Sequence, residues 1–338
     1  MPIQIKTTSA QDCPIEFTQF SGGERQVQIP AEILLALPKQ ISVEALIYNS
    51  ADLMDYLLLE NVLLEHGCEI DLVMPYLPYA RQDRRCATGQ AFSLDLMTRM
   101  LNLNPATASQ RRRLTLWDVH SEVSEALLQQ NTQFSEIINL SPAHIIRQSP
   151  ALTEILMAED SVLICPDAGA VARSQAIAAS FDAQRPQALH IIYAEKKRDP
   201  RTGKITHTQV HATDLSGKTA VICDDICDGG ATFLAIADQL TQLNCTQIVL
   251  YVTHGIFSRG LEVFDGRIDQ IFCSHRFADA QSLKRHNPPS KQQRNSQPTQ
   301  QQRSPHTQPA KRAQLHIIQV RDTQSADVQQ AQISPWAL

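Results

Sequence analysis

No stretch of this sequence approaches the roughly 18 consecutive apolar residues of a membrane-spanning helix. Met1 to Gln11 also lacks the cationic start and apolar stretch of a secretory leader. These absences predict a cytoplasmic protein with no membrane partner. Excess basic charge is missing too: 30 Lys and Arg stand against 35 Asp and Glu, a formal net charge of -5. Nothing global therefore draws the chain to nucleic acid. The eight cysteines, at 13, 68, 86, 165, 223, 227, 245 and 273, show no disulfide-framework spacing. Cys165 and Cys223 end apolar runs, where a thiol packs as a small hydrophobe, so reduced structural cysteines are expected. What is present is ordinary: 43% hydrophobic and 19% charged residues in a chain of 338, long enough for two domains with separate cores. An enzyme is the better starting expectation than a binding module.

Brief apolar runs alternate with helical patterns. Val43 to Tyr48, Ile70 to Met74 and Leu114 to Trp117 read as buried strands, and Ala51 to Glu65 and Ser93 to Leu103 between them carry apolar residues at helical spacing. That is the rhythm of a parallel sheet flanked by helices. It repeats in strand Val162 to Cys165, helix Ala170 to Ser180, strands Leu189 to Tyr193 and Thr219 to Cys223, helix Thr232 to Leu243 and strand Gln247 to Thr253. Lys204 to His211 alternates like one arm of an antiparallel hairpin, with Arg201-Thr-Gly203 as the turn before it. From Gln281 to Arg312 the composition shifts to Gln, Pro, Ser, Lys and Arg, which cannot bury enough surface to offset ordering entropy; a disordered loop is expected. Leu315 to Val320 then reads as a returning strand. The domains so defined are 1–141, 142–280, a basic Gln/Pro-rich insertion over 281–312, and a strand and tail over 313–338.

In open α/β sheets, ligands collect at the carboxyl ends of strands. The most specific such place is Val221-Ile-Cys-Asp-Asp-Ile-Cys-Asp-Gly-Gly-Ala-Thr232. Asp224 and Asp225 can accept hydrogen bonds from vicinal sugar hydroxyls. Asp228, Gly229, Gly230, Ala231 and Thr232 form a small-residue turn into a helix, where backbone N–H groups and the helix dipole suit a phosphate. The competing reading is a plain β-turn with solvated acids. Other strand ends carry Arg81 and Gln82, with a fork of donors and an amide; Asp118-Val-His120; Pro166-Asp-Ala-Gly169; and Glu195-Lys-Lys-Arg198.

Pro75-Tyr-Leu-Pro-Tyr-Ala-Arg-Gln-Asp-Arg84 closely resembles the signature of the ribose-phosphate pyrophosphokinases, and the other motifs follow in that family's order from about residue 17 to about 275. The resemblance implies two phosphoribosyltransferase-like α/β domains, each with a mainly parallel sheet flanked by helices, and an active site between them. It implies that Arg81, Gln82 and His120 bind ATP, that Phe20 and Glu24 of Phe20-Ser-Gly-Gly-Glu24 grip adenine, and that Lys196 and Arg198 carry charge over the transferring phosphoryl group. His120 and Asp167 would help hold Mg2+ on the nucleotide phosphates. Imidazole is an unusual ligand for that ion, so phosphate and water oxygens must fill the rest of the shell. Thr253-His-Gly-Ile-Phe-Ser258 matches a structural stretch with no catalytic role. The implied partners are ATP, ribose 5-phosphate or ADP-ribose, and further copies of the chain in a homo-oligomer.

The departures are specific. Gly22 stands where the family usually has Asp or Asn facing adenine, and Gln90-Ala91 where it often has Glu-Pro. Asp228-Gly-Gly-Ala-Thr232 replaces the usual Asp-Thr-Ala-Gly-Thr, so one hydroxyl donor near the 5-phosphate is lost. The expected reaction is transfer of the β,γ-pyrophosphate of Mg-ATP to the anomeric hydroxyl of ribose 5-phosphate. Its rivals are the same transfer to ADP-ribose, a plain phosphoribosyltransferase, and a non-catalytic regulatory relative.

Overall fold

The computed structural model describes residues 2–6, 13–104, 106–107, 109–198, 205–277 and 311–321, with backbone alone at 197, 198 and 205–207. Residues 281–310 of the 281–312 insertion and the turn at 201–203 lie outside the described residues; Lys311 and Arg312 are described, and Lys311 O accepts the Gly266 N–H at 2.8 Å. The chain divides into two compact units, with the break between Ser141 and Pro142.

The first unit runs β1 (Ile3–Lys6), β2 (Glu16–Gln19), β3 (Arg25–Gln28), α1 (Ala31–Ala36), β4 (Gln40–Ala45), α2 (Ser50–Glu65), β5 (Glu69–Val73), α3 (Ser93–Met100), β6 (Arg112–Trp117), α4 (Glu122–Asn131) and β7 (Glu136–Leu140). Its sheet has the order β1-β4-β5-β6-β7. The strands from β4 to β7 are parallel, and β1 closes one edge antiparallel, with Ile3 opposite Ala45. Parallel strands are covered on both faces, which is why Leu72, Leu114 and Leu116 reach zero exposure. Helix α2 starts sharply because Asn49 Oδ1 accepts the N–H groups of Ala51 and Asp52 at 2.8 and 3.1 Å, while Asp52 Oδ2 accepts the Asn49 N–H at 3.2 Å. This reciprocal cap stabilises the helix start by about 1 kcal/mol. A buried ion pair links α2 to β6: Arg112 donates to Glu60 at 2.6 Å, and Tyr56 Oη donates to the same carboxylate at 2.7 Å.

The second unit runs α5 (Pro142–Arg147), α6 (Pro150–Met157), β8 (Ser161–Cys165), α7 (Val171–Asp182), β9 (His190–Arg198), β10 (Ile205–Val210), β11 (Thr219–Cys227), α8 (Ala231–Gln242), β12 (Gln247–Gly255), β13 (Gln270–Arg276) and β14 (Gln314–Ile317). The sheet order is β10-β9-β8-β11-β12-β13-β14. All neighbours are parallel except the β9–β10 hairpin, in which Thr208 faces Lys196. Two strands run longer than expected, β9 to Arg198 and β11 to Cys227, so the basic run and the Asp224-Asp225 pair sit within strands rather than after them. Thr232 falls inside α8 rather than opening it; Gly230 is the residue before the first turn. Among the described residues, no helix is long and apolar enough to cross a membrane.

Candidate active site

In the first unit, two motifs meet because their strands are neighbours. Past the end of β5, Met74 donates its N–H to Thr115 at 2.9 Å, and Pro75 accepts the Trp117 N–H at 3.1 Å. The chain after β5 is thus pinned beside the end of β6. It turns at Tyr79, whose φ of 63° is left-handed, and Gln82 N–H closes that turn on Tyr79 O at 2.8 Å. Beyond β6, Asp118 also takes a left-handed φ of 42°, held by β7: Asp118 N–H donates to Leu140 O at 2.9 Å and Val119 N–H to Asn139 Oδ1 at 3.2 Å. The outcome is a groove of about 470 Å³ lined by Arg81, Gln82 and His120, together with Asp83, Arg84, Cys86 and Gln90. Arg81, Gln82 and Arg84 are exposed in it, and His120 is half-buried. At the departure position, Gln90 Oε1 accepts the N–H groups of Cys86 and Ala87 at 3.0 and 3.1 Å, so it ties the loop together.

Phe20 and Glu24 lie in the turn between β2 and β3. Phe20 N–H donates to Glu24 O and Gly23 N–H to Phe20 O, both at 2.9 Å, and the Phe20 ring is 53% exposed. A Cβ at Gly22 would run into Glu24 Oε2, so the carboxylate occupies the space left by the missing side chain.

In the second unit, the predicted residues string along the carboxyl ends of adjacent strands β9, β8 and β11. Lys196, on β9, pairs with Asp167 Oδ2 just past β8, and the other Asp167 oxygen accepts the Gly169 N–H at 2.9 Å. Arg198 ends β9, and its side chain lies outside the described residues. On β11, burial pushes the Asp224 carboxyl well above the usual carboxylate range, helped by the charges of Asp225 and Asp167 and opposed by Arg173. Arg173, on α7 and 4% exposed, reaches both acids, at 3.6 Å to Asp224 and 3.8 Å to Asp225. The sequence reading missed it; its one signal was a lone cation in a helix of small and apolar residues. Beyond β11 come Asp228, Gly229 and Gly230, with φ of +75° at Gly230, then Ala231 and Thr232 in the first turn of α8. Asp228 Oδ1 accepts the Ser258 hydroxyl at 2.6 Å.

As metal ligands, His120 and Asp167 belong to different units, and no group of three or more potential ligands occurs among the described residues. Both Asp167 oxygens are engaged, so a cation taking Asp167 directly competes with Lys196 at Oδ2 or uses the remaining lone pair of Oδ1. The donor set fits Mg2+ only with phosphate and water oxygens supplying most of the shell.

Acids on β11 followed by a glycine turn into a helix, inside a parallel sheet with an antiparallel hairpin at its edge, are the features of a phosphoribosyltransferase-type fold. The phosphoribosyl transferase domain model matches residues 136–262, and the model for the N-terminal domain of ribose phosphate pyrophosphokinase matches residues 5–103. The structure is similar to the crystal structure of phosphoribosylpyrophosphate synthetase from Mycobacterium smegmatis, with a TM-score of 0.62 at 17% identity, covering 82% of this chain and 90% of that one. In sequence, the ribose-phosphate pyrophosphokinase of Thermococcus kodakarensis is 26% identical over 274 residues, 79% of this chain and 87% of the relative. That of Pyrococcus furiosus is 28% identical over 267 residues, 76% and 84% of the two chains. The chain belongs to the ribose-phosphate pyrophosphokinase family and is an enzyme of that type.

Proposed function

We propose that the enzyme transfers the β,γ-pyrophosphate of Mg-ATP to the anomeric hydroxyl of ribose 5-phosphate, giving 5-phosphoribosyl 1-pyrophosphate and AMP. The observation that carries this reading is the groove that gathers Arg81, Gln82 and His120, because a plain phosphoribosyltransferase has no use for a second nucleotide site.

Arg81 offers paired donors to the triphosphate and Gln82 an amide to the base or ribose edge. Phe20 and Glu24 are the adenine contacts. On the second unit, Asp224 and Asp225 accept the vicinal hydroxyls of the sugar. Those donors, with Arg173, offset the cost of holding carboxylates in a buried place. The turn from Asp228 to Thr232 receives the 5-phosphate on backbone N–H groups. The anomeric oxygen attacks the β-phosphorus in line and AMP departs, with no covalent enzyme intermediate. Lys196 and Arg198 supply positive charge where it develops; the Lys196 ammonium has three N–H donors, so it can hold Asp167 and a phosphate oxygen together. Mg2+, carried by ATP and approached by His120 and Asp167, would neutralise phosphate charge when bound.

ADP-ribose is the second acceptor to consider, because Gly229, Gly230 and Ala231 give the phosphate turn no closing side chain of its own. Incubating the purified enzyme with magnesium, ATP and each acceptor separately, and following AMP release, tests both. AMP release at least about tenfold faster with ADP-ribose would overturn the choice of ribose 5-phosphate, and no AMP with either acceptor would overturn the reaction itself.

A further inference from the structure

The segment after β12, Gly255 to Gly260, is bound back onto the phosphate turn. Ile256 and Phe257 donate their N–H groups to Cys227 O at 2.8 and 3.1 Å, and Ser258 N–H donates to Asp228 O at 3.1 Å. Gly260 N–H closes on Phe257 O at 2.9 Å, and Phe257 and Gly260 take φ of 47° and +80°. Ser258 and Arg259 are therefore the two corners of a tight turn that leans on Asp228 and Gly229. Ser258 uses its corner to hold the Asp228 carboxylate.

Arg259 uses the other corner differently. A Cβ built on Gly229 would stand 3.0 Å from Arg259 Cδ and 3.4 Å from Cγ, so the arginine stem lies on the bare face of Gly229. That is the position where the usual family turn carries a threonine. Among the described residues no carboxylate pairs with the Arg259 guanidinium, whereas Arg173 and Arg267 have acids at 3.6 and 3.5 Å. The side chain is exposed. A guanidinium held at an anion-binding turn without a protein counter-ion is a planar, permanently charged fork matched to two phosphate oxygens.

We propose that Arg259 is a specificity-determining residue, whose guanidinium closes over the 5-phosphate of the acceptor in place of the hydroxyl lost at Gly229. The loss of that threonine and the presence of Arg259 are then one exchange: the absent side chain makes room for the arginine stem, and the arginine returns the missing donor with a full charge. A monoester dianion offers oxygens to the guanidinium and the backbone N–H groups at once. A diester has one fewer free oxygen, so the exchange favours ribose 5-phosphate. The inference rests on the functional reading above.

The test measures kcat and KM for ribose 5-phosphate and for ATP in the full chain, in Arg259→Ala and in Arg259→Lys, with unphosphorylated ribose as a comparison acceptor. Arg259→Ala is expected to raise KM for ribose 5-phosphate about tenfold or more, with kcat and the KM for ATP within about twofold, and to lower the preference for ribose 5-phosphate over ribose by the same factor. Arg259→Lys recovers part of the loss, since the charge stays and the fork goes. Calorimetric titration of ribose 5-phosphate without ATP separates this inference from the reaction it rests on. Binding that weakens in Arg259→Ala supports the assignment even if wild-type enzyme releases no AMP, an outcome that sinks only the reaction. Unchanged affinity in Arg259→Ala, equal losses with ribose, or a loss confined to ATP would overturn it, as would absence of ribose 5-phosphate binding to the wild type.

Discussion

Replacing Gly230 by alanine probes how the phosphate turn is built, and the cost can be worked out in parts. A φ of +75° is left-handed, which costs an ordinary residue about 1–2 kcal/mol. The added Cβ would also stand 2.5 Å from Phe264 Cζ and 2.8 Å from Cε1. That ring is 1% exposed and meets Phe257 edge-on at 6.1 Å between centroids, so it has nowhere to swing. Overpacking of this kind costs about 1–3 kcal/mol. Together the losses are about 2–5 kcal/mol, a large share of the 5–15 kcal/mol that holds a typical domain. At roughly 2–4 °C per kcal/mol for a domain of 150–250 residues, Tm of the second unit should fall by about 4–20 °C. Scanning calorimetry of the full chain reads it. Gly229→Ala is the control, because its φ is not left-handed and its Cβ meets the stem of the exposed Arg259 side chain, at 3.0 Å from Cδ and 3.4 Å from Cγ, which can move aside; its cost should stay below about 1 kcal/mol. Phe264→Leu in the Gly230→Ala background should recover the overpacking share but leave the backbone share. A Gly230→Ala protein that melts with the Gly229→Ala control would refute the reasoning.

Three other outcomes follow from the same geometry. Lys196→Ala should lower kcat by about 100-fold or more with little change in substrate affinity, measured by steady-state kinetics; a rise in KM alone would remove Lys196 from the transition state. Asp224→Asn should abolish turnover yet raise Tm at neutral pH, because burial holds the carboxyl above its usual range and the folded protein loses stability as pH rises through that raised value. Below the unfolded carboxyl value of 3.8 both states are protonated, so the Tm gap should close there, and a gap that persists at acid pH contradicts the assignment. Glu60→Gln should cost about 3–5 kcal/mol in urea unfolding, since it leaves Arg112, 1% exposed, without its counter-charge.

The elements legible in the sequence were those whose pattern is local. The runs at Ile70 to Met74, Leu114 to Trp117 and Val162 to Cys165 are short and apolar because strands buried on both faces leave no room for alternation, and each returned within a residue or two. The motifs at their ends were legible for the same reason. Strand β1, Ile-Gln-Ile-Lys, escaped notice, being four residues at an edge with one wet face. The hairpin of β2 and β3 escaped because exposed Glu, Gln and Thr carry no periodic signal. Strands β9 and β11 overran their apolar runs since pairing with a neighbour, Lys196 with Thr208 and Asp224 with Val252, extends a strand past the end of its apolar residues. Arg259 gave no signal and Arg173 only that of a lone cation in its helix, for a stronger reason: each packs on residues some 30 to 50 positions away, and no window along the chain contains both.

Strand β14 lies parallel to β13, Leu315 beside Ile271, and a parallel neighbour cannot be reached by a tight turn. The chain that leaves β13 at Arg276 must travel back along the whole strand before Gln314 can pair. At about 3.3 Å per residue that return is roughly 23 Å. Both anchor points are fixed: at the departure Phe277 N–H donates to Gly255 O at 3.0 Å, and at the landing Gly266 N–H donates to Lys311 O at 2.8 Å, Gln314 N–H to Asp269 O at 3.0 Å, and Lys311 Nζ pairs with Asp269 at 3.0 Å. Removing 287–309 would leave about 14 residues between the strands, able to span about 46–50 Å, twice the return path. Closing a loop costs only about 0.6 kcal/mol per doubling of its length. The second unit therefore constrains where that segment departs and where it lands while staying nearly indifferent to how much chain lies between, so length and composition there are free to drift without the sheet registering the change.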